Sequence, residues 1–184
     1  MINKIVVAIL SLMWLSGAIS EARLNESISE CNTRYGEPLC NYDKGGLSFR
    51  TYDFSGKLIK VYFSHNKSFL EMIVIGPKRA YSNQDASKFG GACMMFVSGL
   101  LTTAYDFSDS QVKGLANMQR VSQLEAKSMI ENGSTRVTFG VETNPNQNSM
   151  KATAIIVNTK SGVDTDALSS FVKESIASEH AGGF

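Results

Sequence analysis

Between Leu47 and Ile75 three strand-length runs follow one another with almost nothing between them, which leaves few alternatives to an antiparallel meander. Leu47 to Phe54, Leu58 to Ser64 and Phe69 to Ile75 are rich in aromatic and β-branched residues and are separated by Ser55-Gly56 and by His65-Asn66-Lys67. Linkers this short return a strand alongside the one before it and cannot carry a parallel crossover. In the middle run Ile59, Val61 and Phe63 share one face, and Lys60 and Tyr62 share the other. The first face is expected to meet a helix and the second to meet water or a partner.

Upstream, Asn25 or Ser27 is placed to cap a short helix ending near Tyr35, with Gly36 as its stop and Pro38 beyond. Leu39 to Tyr42 reads as a short edge strand, and Asp43-Lys44-Gly45-Gly46 as the turn into the meander. Downstream, Tyr81 to Lys88 is polar and is expected to be the joint to a second unit. Phe89, Ala92, Cys93, Phe96, Val97, Leu100, Leu101 and Ala104 then recur at the spacing of a helix pressed on a sheet. Gly90, Gly91 and Gly99 weaken that helix by about 1 kcal/mol each relative to Ala, a cost that close packing must offset.

Ser108-Asp109 can start a second short helix. Leu124 to Ile130 and Arg136 to Val141 flank Asn132-Gly133, the dipeptide of a type I′ hairpin turn. Met150 to Asn158 reads as a further strand, and Asp164 or Thr165 caps a last helix with Leu168, Phe171, Val172 and Ile176 on one stripe. The expected fold is α+β, with two helix-plus-antiparallel-meander units in the order α-ββββ then αα-βββ-α. Their expected limits are residues 23–80 and 81–184, with one shared sheet or two left open.

Residues 1–22 carry one Lys at Lys4, an apolar run from Ile5 to Leu15 and then Ser16-Gly17-Ala18, the order of a secretory signal peptide. The run of about 11 residues would span roughly 16 Å as a helix, too short for a bilayer core. The mature chain is therefore expected to be periplasmic or secreted, without a transmembrane anchor. Export brings the three cysteines into an oxidising compartment. Three pairings are open; Cys31 and Cys40, nine apart across Gly36-Glu37-Pro38, are the favoured disulfide, and Cys93 falls on the apolar stripe of its helix.

Charge names no partner: 18 Lys+Arg against 17 Asp+Glu leaves no excess to concentrate on phosphates, so nucleic acid is not expected. With only two histidines, His65 and His180, and no CxxC, neither a metal site nor a cofactor is expected. There is also no GxSxG elbow, HExxH, Walker loop or dinucleotide fingerprint. His65, in a turn, has no nucleophile or orienting acid assigned to it. Tyr52, Phe54 and Tyr62, with Arg50 and Lys60 beside them, combine aromatic and cationic side chains as protein interfaces do, and form the candidate binding face.

The run Glu30-Cys31-Asn32-Thr33-Arg34-Tyr35-Gly36-Glu37-Pro38 followed by a meander resembles small bacterial envelope proteins of the BamE/SmpA type over residues 25–76. The chain departs from that group in having Ala18 where the lipidated Cys would stand. The tandem layout is similar to that of secreted β-lactamase-inhibitor proteins, which present a concave sheet to an enzyme. Together these readings lead to an expected non-catalytic binding module for a protein or envelope component. Alternatives are a secreted enzyme inhibitor or an enzyme with its site around His65.

Overall fold

The computed structural model describes residues 24–79, 83–122 and 124–181; the expected signal segment lies outside them. In chain order the elements are α1 (Ile28–Tyr35), β1 (Cys40–Lys44), β2 (Leu47–Phe54), β3 (Lys57–Ser64), β4 (Lys67–Arg79) and α2 (Asn83–Ala104). There follow α3 (Asp109–Val112), a 3-10 turn (Lys113–Ala116), β5 (Gln119–Arg120), β6 (Glu125–Asn132), β7 (Thr135–Asn144), β8 (Ser149–Asn158) and α4 (Thr165–Ala181). The strands make one eight-stranded sheet in the order β1-β2-β3-β4-β8-β7-β6-β5, antiparallel at every pairing. The fold is thus α+β on a single sheet.

The element order differs from the expected one after α2. A two-residue strand, β5, precedes β6, and the second short helix gives way after one turn to the 3-10 segment, whose Gly114 packs against Ile130. Most of the expected polar joint, from Asn83 to Lys88, is the start of α2.

Local chemistry explains the boundaries. Ser27 and Glu30 form a reciprocal capping box at the start of α1, and Gly36 at φ 87° ends it. Gly45-Gly46, Ser55-Gly56 and His65-Asn66 all have positive φ at both positions, the requirement of I′ turns whose twist matches the strands they join. The β6–β7 hairpin forms as its sequence predicts, shifted by one residue. Asn132 pairs with Thr135, so the turn is Gly133-Ser134 with positive φ at Gly133 alone, the II′ pattern. The shift leaves Asn132 in the strand, where its side-chain amide donates to the Asp106 carbonyl at 2.9 Å.

Both faces of the sheet carry helix. On the front, α1, α2 and α3 cover a core that includes Tyr52, Ile59, Val61, Phe63, Ile73, Leu101, Phe139 and Ile156. On the back, α4 lays Phe171, Leu168 and Val172 against Phe49, Tyr62 and Phe69. A bulge makes the second cluster. Tyr62 pairs with Leu70 and Phe63 with Ser68, so Phe69 is an extra residue, and both Phe69 and Leu70 join the back face.

Candidate binding surface

The five residues expected to form an exposed binding face are divided between the two faces and largely enclosed. Tyr52 is buried on the front, its phenol donating to Asn32 Oδ1 at 2.8 Å, and Phe54 packs edge-on against Tyr35. Arg50 is held at the β1–β2 edge by Asp43 at 2.8 Å, and that guanidinium keeps the Asp43 carboxyl below its usual range. Tyr62 and Lys60 face backward beneath α4. Tyr62 lies in the Phe49–Phe171 cluster, and Lys60 pairs with Glu179, which also accepts from Thr51 at 3.2 Å. The reason is α4: the face expected to meet water or a partner is roofed by the chain's own last helix.

Cys31 and Cys40, the pair expected to bridge, are both free thiols. Cys31 belongs to the front core and Cys40 to the back cluster, because Cys40 pairs with Thr51, whose side chain reaches Glu179 on α4. The sheet therefore stands between the two sulfurs. His65 is an exposed turn residue with Ser64 Oγ 3.0 Å from its Nδ1.

Sequence reasoning missed the buried polar centre of the front face. Glu71, 2% exposed, accepts from Tyr35 at 2.7 Å and from Tyr105 at 2.6 Å. Burial pushes its carboxyl pKa up, while the two phenols and Arg34 oppose that shift without cancelling it. Both tyrosines are in turn raised, by burial first and by the nearby carboxylate. The arrangement is sealed and satisfied; its work is to tie α1 and the end of α2 to the sheet. A Glu in step with Ile73 and Ile75 along an otherwise apolar strand was the available signal.

The open surface lies elsewhere. Behind β8, β7, β6 and the part of β4 from Met72 onward no described helix covers the sheet, and the pairing sets its side chains in rows. One row is Met72, Ile155, Thr138 and Met129; the next is Val74, Thr153, Gly140 and Lys127. Met129 is 60% exposed. Charges close both ends, Arg136 with Glu131 on one side, and Lys127 with Glu125 (2.8 Å) and Lys151 with Glu142 (3.2 Å) on the other. Between them sits a depression of about 160 Å³ floored by Thr138, Gly140, Thr153 and Ile155. A Cβ on Gly140 would meet Lys127 Cγ at 3.4 Å, so the lysine stem lies across the glycine. The face thus has a small apolar and hydroxyl-bearing centre inside a rim of paired charges.

Among the described residues no group of three or more His, Cys, Asp or Glu is placed to hold a metal ion, and no helix is long and apolar enough to cross a membrane. No protein-family model matches the sequence, and no curated protein matches it. Among solved structures, a cysteine-rich secretory protein from Staphylococcus aureus is similar over 73% of this chain and 43% of its own, at 8% identity and a TM-score of 0.35. This chain thus spans under half of that protein's length. A similarity at this level assigns neither fold nor function.

Proposed function

We propose that the protein is an exported, non-catalytic binding module that holds a protein partner on the open back of β8, β7 and β6. Export follows from the charged, apolar and small-residue order of residues 1–22. The reading is carried by one observation: α4 roofs the back of β1–β3, whereas the equivalent side of β6–β8 keeps apolar and threonine side chains uncovered within a charged rim. We read the chain as two helix-plus-meander units, residues 23–80 and 81–184, fused through β4 and β8. In that layout the first unit's sheet is closed by α4 and the second unit's is left for the partner.

The test is site-specific photo-cross-linking in the exported fraction of the native host. A photoreactive residue at Thr138 or Ile155 is expected to trap one predominant protein, and the same group at exposed Lys173 on α4 is expected to trap none. Equal trapping at all three positions would defeat the assignment of the face.

A further inference from the structure

The outer edge of β6 is unfinished, and the gap has a shape and a chemistry. β5 pairs with β6 only at Gln119–Lys127 and Arg120–Ala126, although β6 runs on to Asn132. The Glu125 carbonyl accepts from Val121 N–H at 2.9 Å and the Glu131 carbonyl from Gln111 Nε2 at 3.4 Å, so both point outward. Strand alternation then turns the N–H and C=O of Met129 outward as well. Continuing the register, Asn117 is the residue that would complete this pairing. Instead Asn117 gives its N–H to Gly114 at 3.1 Å as the 3-10 turn closes.

A groove of about 480 Å³ opens at this point, lined by Asn117, Val121, Ser128 and Met129 among others. Val121 and Met129 are 59% and 60% exposed. Ser128 is only 5% exposed, and its hydroxyl, buried on the groove wall, has no hydrogen-bond partner among the described residues. An orphaned buried hydroxyl costs about 1–3 kcal/mol, and the groove is where a partner would come from.

We propose that this notch binds an extended peptide segment of the partner, which adds to the edge of β6 at Met129. One peptide residue exchanges N–H···O=C bonds with Met129. That residue's own side chain, apolar, lies toward Val121 and Met129, and a polar neighbour, turned to the other face, reaches Ser128 Oγ. The inference rests on the reading of the β6–β8 side as the binding side, since the groove shares Met129, Lys127 and Thr138 with the open face.

A displayed library of random octapeptides, panned on the mature chain, supplies the probe; amide exchange by NMR supplies the readout. In the free protein the Met129 amide is expected to exchange quickly while its neighbours on β6 are protected, and a selected peptide is expected to protect it. Affinity is expected to fall about tenfold or more in Met129→Pro, which an edge strand tolerates, and on N-methylation of the contacting peptide residue. Ser128→Ala is expected to weaken binding while leaving the fold intact. A Met129 amide already protected in the free chain, or selected peptides that bind Met129→Pro unchanged, would overturn strand addition. If those peptides instead fail on Ile155→Asp, the open-face reading survives without it. A library that enriches nothing leaves water as the partner of Ser128 and defeats this proposal alone, because cross-linking at Thr138 decides the other.

Discussion

Tyr105, four residues beyond the last fully buried turn of α2, hands its phenolic hydrogen to Glu71 across 2.6 Å, and Tyr35 from α1 does the same from the other side at 2.7 Å. Two helical segments are thus pinned to the middle of the sheet through one buried carboxyl. That makes the front face sensitive to the charge on a single residue.

The direction of this sensitivity follows from burial. The folded Glu71 holds its proton to higher pH than the unfolded chain does. Folding therefore carries no ionisation penalty below the ordinary carboxyl range, near pH 4.5, and stability is lost as pH rises through the raised folded pKa. Facing groups are Tyr35, Arg34, Cys31 and Glu26 from the α1 side and Tyr105 from the end of α2. Glu71→Gln is expected to flatten the pH dependence of urea unfolding above that range. The slope difference is at most about 1.4 kcal/mol per pH unit while Glu71 titrates. Parallel stability curves for the two proteins would show that Glu71 is ionised throughout.

Tyr62 separates a core role from an interface role. It is 1% exposed, 4.9 Å from the Phe49 ring and 6.4 Å from Phe171 on α4. Tyr62→Ala is expected to cost about 3–5 kcal/mol in chemical denaturation, and Tyr62→Phe much less, since the ring does most of the packing. An Ala variant of nearly unchanged stability would mean that α4 does not close over the β3 back face.

The meander was legible because aromatic and β-branched runs joined by short polar linkers admit one topology, and the α1 cap was legible to within Asn25 or Ser27, of which Ser27 forms the reciprocal box with Glu30. What each face of the meander meets was not legible. Lys60 and Tyr62 alternate with Ile59 and Val61 in the way a solvated face does, and only the return of α4, over a hundred residues later, converts that face to core. The open face was hidden for the same reason. Thr138, Gly140, Thr153 and Ile155 show nothing distinctive in sequence; they become a surface when β8 pairs with β4 and α4 goes to the other half. Glu71 was passed over because a lone carboxylate in a strand usually faces water, and its two phenols come from 36 and 34 residues away.

The cysteines give a chemical check on which side of the sheet each one lies. Burial raises the thiol pKa of Cys31 and, to a lesser degree of enclosure, that of Cys40, which suppresses thiolate in both. Denatured without reductant, the chain is expected to titrate three thiols. In the native state Cys40 is expected to react slowly with a thiol reagent and Cys31 and Cys93 to be inert. A Cys31–Cys40 disulfide found by non-reducing peptide mapping would contradict their placement on opposite faces.

Gly114 reports on the turn that leaves Met129 unpaired. A Cβ there would stand 2.8 Å from Ile130 Cγ2, closer than real contacts allow, while the Gly114 backbone itself is in no conformation reserved for glycine. Gly114→Ala is therefore expected to destabilise by about 1–3 kcal/mol through overpacking alone. The cause is separable from helix or turn propensity by a double-mutant cycle, because Ile130→Ala removes the opposing methyl. In that background Gly114→Ala is expected to cost at least about 0.5 kcal/mol less than in the native chain. Simple additivity of the two substitutions, measured by urea unfolding, would show that the 3-10 turn does not rest on Ile130, and with it would go the reason that β5 stops where it does.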